Sequence, residues 1–439
     1  MSEVEKLKKK IKELEEEVER LRKVEKDFEE FKAKHAVTVS ELQKALKIKE
    51  NKVSSGKPVG APLNHKGYSR HVPERIDVVK ALNPEVCADC GTKLSETQEI
   101  RKRYVTDIKL VLEPINTQYD IHRKYCTGCK KIVEQPVPNV LPHARFGLNL
   151  MLFIMYLKLG LRLPGNKVCE LLLTMYGLKI SEAEIVHVLK QLANAFGDYY
   201  LYLEKLVKRA RVKYTDATSW RVDGKNYFAW VFISAGIVLY KIRKRANAKV
   251  PLVLFGKKQE NNTLVSDRHS ANISAGEKSG FNQQYCESHI LRNSKSLAKN
   301  FGSEGKYVHG KLKSIYELAK GLNHHGLPEH VEALQGEIIN LTQRHYKHST
   351  VRKFVQTLAY RDINSLFRFV TDPEIDSTNN ISERELRHLV LIRKISNGSR
   401  SHRGANATAI LTSIIQTLRF RKQNVLEELF KILNNPSGY

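Results

Sequence analysis

Two aspartates each lie at the end of a predicted strand, a position from which their carboxylates could meet in the folded chain. Asp216 and Asp267 each end a short apolar run typical of a buried strand, and their positions differ by 51. Because side chains leave the core of an α/β sheet at its strand ends, the two would meet if their strands were neighbours. The alternative for each is a turn or helix-capping role, the commoner use of a lone Asp at a strand end.

A third acid, Glu383, lies in a segment that predicts the start of a helix. Ser377, Thr378 and Asn379 favour helix N-termini, and Arg387 shares the face of Glu383 one turn later. This pattern suits a phosphodiester substrate, because the carboxylate can bind Mg²⁺ and the arginines can bind phosphates. The alternative is a surface salt bridge between Glu383 and Arg387, which the spacing equally allows.

The charge of the chain indicates a polyanionic partner, with nucleic acid the leading class. Its 439 residues contain 74 Lys and Arg against 47 Asp and Glu, a net charge of +27. Residues 379–422 alone hold nine Lys and Arg against two acids, which suits DNA strands lying across the helix of Glu383. The predicted DNA-binding residues are Arg384, Arg387, Arg393, Lys394, Arg400 and Arg403.

Four of the six cysteines form two Cys-x-x-Cys pairs, Cys87 with Cys90 and Cys126 with Cys129. Two such pairs can supply four thiolates to one tetrahedral Zn²⁺, a structural site because no coordination position stays open. Alternating residues at 104–112 and 117–124 predict a hairpin that returns the second pair to the first. The alternatives are a redox pair or two buried thiol pairs.

The elements around these residues begin with a seven-residue apolar repeat over residues 4–46, which predicts a coiled coil. The alternative is a single amphipathic helix packed on its own domain. Residues 51–73 are rich in Gly, Pro and Ser and predict a linker. There is no secretion signal, and the longest apolar run, 150–157, is too short to cross a bilayer. We therefore expect a cytoplasmic, nucleoid-associated protein without a membrane partner.

Helical patterns follow at 148–161, 165–176 and 181–195, the last opened by Ser181 with Glu184 at capping-box spacing. The pair around Gly177 resembles a helix-turn-helix that could read DNA, and a plain helical bundle is the alternative. Strand patterns then occur at 212–216, 227–234, 237–242 and 263–267, with a hairpin signal at Asp223-Gly224. Residues 250–255 form a helix or a short buried segment. The strand patterns, together with the helical patterns around them, predict an α/β catalytic domain.

Four segments carry a resemblance to a known family: 214–224 (YTDATSWRVDG), 265–267 (VSD), 286–292 (CESHILR) and 379–387 (NNISERELR). Together with Arg393-Lys394, the coiled-coil start, the linker and the four cysteines, they resemble the insertion-sequence-66 family of transposases. The resemblance implies an RNase H-like domain whose DDE triad is Asp216, Asp267 and Glu383. Cys286 and His289 resemble a Cys-x-x-His signature and are expected to make structural contacts beside the site.

The resemblance also implies an activity and its partners. Two Mg²⁺ ions, bridged by Asp216 and held by Asp267 and Glu383, would serve hydrolysis at the element ends and then strand transfer of the 3′-OH ends. The partners implied are double-stranded DNA, both element ends and target, a second copy of the chain in a homo-oligomer that is a dimer by default, and accessory transposition proteins. The alternatives are an inactive DNA-binding regulator derived from a transposase, or an RNase H-like nuclease without strand transfer.

The predicted organisation follows from these parts. It comprises a coiled coil (1–50), a basic linker (51–83), a zinc-binding domain (84–138), a helical DNA-binding domain (140–207), a catalytic domain (208–400) with a helical insertion (about 306–369), and a C-terminal helix (401–439). The chain departs from the usual family pattern at Ala217, at Arg268-His269, at His388 and at linker residues 61–64.

Overall fold

The computed structural model describes residues 113–126, 128, 131–133, 135, 137–255 and 262–434, with a few isolated positions before residue 113. The chain divides into two units, Met1–Asp107 and Ile108–Tyr439, and the account below concerns the second. The predicted coiled coil and linker lie almost entirely outside the described residues, as do Cys87, Cys90 and Cys129. Among the described residues, no helix is both long and apolar enough to cross a membrane.

The first strands that the structure describes are β1 (Lys124–Cys126) and β2 (Lys131–Val133), which form a short antiparallel pair in which Cys126 pairs with Lys131. The strand predicted at 117–124 is wrong, since residues 113–123 form no regular structure. Alternation alone misled the prediction, because these side chains are exposed and lack a core-facing side. The partner strand predicted at 104–112 lies outside the described residues.

Four helices precede the sheet: α1 (Leu148–Met155), α2 (Gly165–Tyr176), α3 (Glu182–Ala195) and α4 (Gly197–Arg209). The predicted first helix, 148–161, continues from α1 as a π-helical turn over Tyr156–Gly160. The predicted capping box is confirmed, because Glu184 N donates to Ser181 Oγ while Glu184 Oε2 accepts from Ser181 N. Helix α3 packs with its apolar face against α1 and a later helix, so its exposed face alone is free to contact DNA.

The centre of the unit is a five-stranded mixed sheet with the order β5-β4-β3-β6-β7. Its first three strands, β3 (Val212–Val222), β4 (Lys225–Ser234) and β5 (Ile237–Arg243), form an antiparallel meander. The predicted hairpin at Asp223-Gly224 is confirmed, and both residues have positive φ (51° and 70°), as a two-residue primed turn requires. Helix α5 (Lys249–Phe255) follows, which resolves the ambiguous segment at 250–255.

Strands β6 (Thr263–Ser266) and β7 (Asn282–Tyr285) complete the sheet, parallel to β3 and joined by helix α6 (Ser270–Ser279). A helical segment follows, with α7 (Glu287–Asn300), α8 (Gly302–Gly321), α9 (Pro328–Asn340) and α10 (Ser349–Gln356). The chain returns to the sheet in α11 (Asn380–Ser396). Two helices end it, α12 (His402–Phe420) and α13 (Val425–Asn434), where the sequence predicted one.

Helix α12 lies along β5, the edge strand of the meander. The amide of Val238 donates to Thr417 Oγ1 at 3.0 Å, and the amide of Tyr240 donates to Ser413 Oγ at 2.8 Å. Thr417 Oγ1 also donates to the carbonyl of Val238 at 3.1 Å. Side-chain hydroxyls of α12 therefore satisfy backbone groups that a neighbouring strand would otherwise bind.

Candidate active site

Asp216 and Asp267 each lie two residues beyond the last paired residues of two neighbouring parallel strands. The register pairs Val212 with Thr263 and Tyr214 with Val265, a constant offset of 51, which is also the offset between the two acids. Asp267 follows the last residue of β6, as expected. The prediction that Asp216 ends its strand is wrong: β3 runs on to Val222 because β4 pairs with it over that whole length. What ends beside Asp216 is β6, so from here on the β6 side of β3 has no paired strand among the described residues until the bridge at Val222. We call the place beside Asp216 on this side the crevice.

Glu383 reaches the crevice from the first turn of α11. Asn379, directly before this helix, holds its position: its Nδ2 donates to the carbonyl of Thr215 at 2.9 Å and its N donates to Cys286 Sγ at 3.1 Å. The sequence predicted Asn379 as a helix-capping residue, but no side-chain cap forms. Its amide instead connects the start of α11 to the strand that carries Asp216.

A second set of hydrogen bonds fixes the segment before α11. Tyr214 Oη donates to the carbonyl of Glu374 at 3.1 Å and accepts from Asp376 N at 2.9 Å. The amide of Glu287, at the start of α7, donates to the carbonyl of Ser377 at 3.0 Å. Three elements that are distant in sequence are thereby joined around the acids.

The acids affect one another electrostatically. Burial, and then the charges of Asp267 and Glu383, raise the pKa of Asp216 to about 7, against one hydrogen bond from Ala217 N at 2.7 Å that acts in the opposite direction. No Lys or Arg among the described residues forms an ion pair with Asp216. A partly buried carboxylate beside two others, without a cation, is an arrangement that a divalent metal ion would stabilise.

The three carboxylates are neighbours without converging on one point. Within the described part of the chain, no three His, Cys, Asp or Glu side chains are arranged to share a metal ion. Asp267 Oδ1 accepts from Asn272 Nδ2 at 2.8 Å and from His269 N at 3.2 Å, and these two bonds orient the carboxylate. Oxygen donors of this kind are the ligands that Mg²⁺ prefers, so the three residues fit such an ion in type.

Cys286 and His289 contact the site, and neither belongs to a metal cluster among the described residues. His289 Nε2 lies 3.7 Å from Glu383 Oε1, so the structure pairs Glu383 with this histidine and not with Arg387. Cys286 is fully buried, its amide donates to the carbonyl of Ser266 at 2.9 Å, and burial raises the pKa of its thiol. A buried neutral thiol that accepts hydrogen bonds is a structural group.

Arg268, one of the departures from the family pattern, anchors the helical segment beside the site. Its Nη2 lies 2.6 Å from the carboxylate of Asp362, which is fully buried and also binds Arg361 Nε at 2.7 Å. The guanidinium of Arg268 further lies 5.8 Å from the centre of the Phe354 ring. The residue after Asp267 is thus held by contacts 86 to 94 positions away along the chain.

The sequence profile described as "Transposase IS66 family" matches residues 143–407, more than half of the chain. The chain belongs to the IS66 transposase family. The resemblance read from the sequence is confirmed, and the chain is a transposase that acts on DNA. Comparison with curated proteins found no match.

Most of the predicted DNA-binding residues of this transposase are exposed. Arg387, Lys394, Arg400 and Arg403 form no ion pair among the described residues, and Arg384 lies 3.3 Å from Glu385. A further member of the predicted set, Arg393, differs. It is half-buried, and its Nη1 donates to Ser219 Oγ at 2.6 Å, to Thr218 Oγ1 at 3.3 Å and to the carbonyl of Ser219, so that it joins α11 to β3.

Another departure from the family pattern, His388, joins the transposase's helical region to α11. Arg162 Nη1 lies 3.1 Å from His388 Nδ1, and Glu385 Oε2 lies 3.6 Å from His388 Nε2. Burial, and then the positive charges of Arg162, Arg419 and Arg384, lower the pKa of this histidine to about 4. It is therefore neutral at physiological pH, and Nδ1 accepts from Arg162.

Sequence reasoning missed Tyr214, Asn272 and the supporting role of Asn379. Tyr214 stands two residues before Asp216 and Asn272 five residues after Asp267. A Tyr two positions from Asp216 shares its side of the strand, and this alternation could have suggested its position. No local signal identifies its partners at 374 and 376, because they are about 160 residues away.

Proposed function

We propose that this transposase cleaves the ends of its own element by Mg²⁺-dependent hydrolysis and joins the 3′-OH ends to target DNA, using Asp216, Asp267 and Glu383 as a DDE triad. The observation that carries the proposal is the constant offset of 51 in the paired part of β3 and β6, which is also the offset between the two aspartates. Burial, and then the charges of Asp267 and Glu383, raise the pKa of Asp216, so all three acids are neighbours. The mixed sheet flanked by helices supports an RNase H-like fold for this domain.

The side chains of the site would divide the work. Divalent metal ions held by the three carboxylates would stabilise the attacking and leaving oxygens of the phosphodiester. Asn272 and the amide of His269 orient Asp267, and His289 restrains Glu383. Asp216 must lose its proton to serve as a ligand, which its pKa of about 7 allows at neutral pH. Exposed Arg387 is placed to hold a phosphate one helical turn from Glu383.

The test is cleavage of a duplex that carries the element's terminal repeat, in Mg²⁺, by the full chain and by Asp267→Asn. We expect Asp267→Asn to lose at least about 1000-fold in cleavage rate, with binding of the duplex retained. The matched control is Asp198→Asn, the same chemical change at an exposed residue in the first turn of α4. Cleavage by Asp267→Asn within about tenfold of the parent would place the reaction elsewhere.

We further propose that Cys87, Cys90, Cys126 and Cys129 hold one structural Zn²⁺. Its support is limited to the pair spacing and to β1 and β2, which pair on either side of Cys129. Elemental analysis of the purified chain should find one zinc per chain, and Cys126→Ser should lose it. Cys169→Ser, at a half-buried cysteine of α2, is the control that should retain the metal.

We also propose that the chain assembles with further copies of itself. A homo-oligomer, a dimer by default, would bring two element ends together through the coiled coil of residues 1–50, with accessory proteins as additional partners. Light scattering of the full chain and of a chain lacking residues 1–50 tests this. A change from oligomer to monomer on truncation supports the proposal, and an unchanged mass contradicts it.

A further inference from the structure

A groove of about 1020 Å³ lies where the β3–β4 turn meets the connection between α11 and α12. We call it the hairpin groove. Arg221 and Asn226 line it from the hairpin, and Lys394, Asn397 and Arg400 line it from the other side. Its lining contains none of the three acids, and three of its cations, Arg393, Lys394 and Arg400, belong to the DNA-binding set predicted from the sequence.

The walls of the hairpin groove are fixed to each other by backbone contacts. Val222 forms a parallel bridge with Ser399, the amide of Ser399 donates to the carbonyl of Arg221 at 2.9 Å, and the amide of Asp223 donates to the carbonyl of Ser399 at 2.9 Å. A Cβ on Gly398, whose φ is 109°, would stand 2.3 Å from the carbonyl oxygen of Arg221. The glycine permits this close approach, so the groove is a built feature of the fold.

The charge of the hairpin groove suits an anion. Its lining contains four cations, Arg221, Arg393, Lys394 and Arg400, against one carboxylate, Asp223. Arg221, Lys394 and Arg400 are exposed. Lys394 and Arg400 form no ion pair among the described residues. The side chain of Asp223 is 73% exposed and lies 3.9 Å from Lys225, so it neutralises little of the groove's charge.

The hairpin groove is aligned with the three acids through α11. Lys394 follows Glu383 by 11 residues, which is three turns of the helix, so both lie on one face about 16 Å apart. Arg387 lies on the same face between them and is exposed. A stripe of cations therefore connects the crevice to the groove. A single phosphate ion would bind only one of these cations at a time, whereas a polymer with one charge per unit would bind all of them.

We propose that the hairpin groove binds the phosphate backbone of the DNA strand that continues from the bond cleaved at the three acids. A distance of about 16 Å is spanned by roughly two or three phosphates of one strand, because the strand winds about the DNA axis while it rises roughly 3.4 Å per step. This gives the distance in nucleotides between the cleaved bond and the groove. The inference rests on the proposed function for the position of the cleaved bond, while the groove's preference for a phosphate backbone stands on its own charges.

The first experiment measures binding of the terminal-repeat duplex over a range of NaCl concentrations. All proteins carry Asp267→Asn, so that the DNA stays intact. We expect the double variant Arg221→Ala, Arg400→Ala to bind about tenfold more weakly, with the slope of log K against log salt reduced by about 0.9 for each lost phosphate contact. Lys311→Ala, at an exposed residue of α8, removes a positive charge elsewhere and should leave the slope unchanged.

The second experiment locates the contact on the DNA. Duplexes are made with one neutral methylphosphonate at each successive position of the cleaved strand. A neutral linkage two or three nucleotides from the cleaved bond should weaken binding by the protein with an intact groove and have no effect on the double variant. A thermal melt that agrees within a few degrees shows that the double variant is folded.

The two proposals fail in different ways. If the slope of log K against log salt is the same for the double variant and for Lys311→Ala, the groove does not bind the phosphate backbone. This conclusion would hold even if Asp267→Asn abolishes cleavage in the full chain. Cleavage by Asp267→Asn would overturn the DDE site, and the methylphosphonate pattern would still report whether the groove holds a phosphate backbone. A pattern confined to positions distant from the cleaved bond contradicts the path proposed along α11.

Discussion

Asp216 and Asp362 are two carboxylates of the same domain that differ in the charge of their neighbours. Asp362, fully buried, binds two guanidinium groups, those of Arg268 at 2.6 Å and Arg361 at 2.7 Å. Asp216, partly buried, receives one backbone amide; burial, and then the charges of Asp267 and Glu383, raise its pKa to about 7. One cluster is neutralised within the chain, and the other is left with an excess of negative charge.

The difference separates a structural use of buried charge from a functional one. Paired charge in the interior holds elements in place, here β6 and the helical segment that contains Asp362. Unpaired like charges lower the free energy of unfolding and are retained where a ligand of opposite sign neutralises them. Arg268 directly follows Asp267, so the neutralised cluster also holds the backbone next to the charged one.

The largest effect on stability is expected from Asp362→Ala. It leaves Arg268, whose side chain is 14% exposed, without its buried partner, and should lower the free energy of unfolding by about 3–5 kcal/mol. Urea unfolding measures the change. Glu374→Gln, at the 62% exposed partner of Arg211, is the control for loss of a carboxylate at a surface. A loss below about 1 kcal/mol for Asp362→Ala would remove the distinction between the two clusters.

Asp216→Asn should raise the free energy of unfolding of the metal-free protein at pH 8, by an amount on the order of 4 kcal/mol. Because the pKa of Asp216 is raised in the folded state to about 7, its contribution to stability is fully present below the unfolded pKa of about 3.9 and is lost as the pH rises through 7. The gain from the substitution should therefore disappear near pH 4. Unfolding curves in EDTA at the two pH values test it, and equal stability at pH 8 contradicts it.

Mg²⁺ should stabilise the charged cluster and leave the neutralised one unaffected. At ten times the dissociation constant, the ion should raise the free energy of unfolding by about 1.4 kcal/mol at pH 8, and by less at pH 6, where Asp216 retains its proton. Thermal melts with and without Mg²⁺ measure this without reference to activity. The same shift in Asp216→Asn as in the parent would show that the ion binds at another site.

The smallest effect is expected from Lys167→Ala. Lys167 pairs with Glu170 at 2.6 Å on the surface of α2, where the two side chains are 57% and 62% exposed. Water screens such a pair, so its loss should change the free energy of unfolding by no more than about 0.5 kcal/mol. A larger change in urea unfolding would mean that geometry alone, without burial, sets the strength of ion pairs in this protein.

Local signals in the sequence predicted several elements correctly. The Ser181-Glu184 spacing predicted the start of α3, and Asp223-Gly224 predicted the turn between β3 and β4. Each of these features is decided by residues a few positions apart, whose preferences act before the chain is packed. The neighbouring positions of Asp216 and Asp267 were also foreseen, on the condition that their strands pair.

Contacts between distant parts of the chain could not be read in this way. The end of the first strand at Asp216 is a different kind of error, because the two-residue turn at Asp223-Gly224 already requires β3 to pair with β4 up to Val222. The pairing of Arg268 with Asp362, and the bridge between Val222 and Ser399, join residues about 90 and 180 positions apart. Such contacts depend on how helices and strands pack, which a one-dimensional pattern does not encode.

The hydroxyl groups of Ser413 and Thr417 along β5 have a consequence for assembly. An open edge strand is where a second copy of a chain most readily adds its own strand, and where misfolded copies nucleate fibres. Here the amides of Val238 and Tyr240 are already bound to side chains of α12. This edge is therefore closed to a continuous intermolecular sheet, and a second copy of the chain would have to bind at another surface.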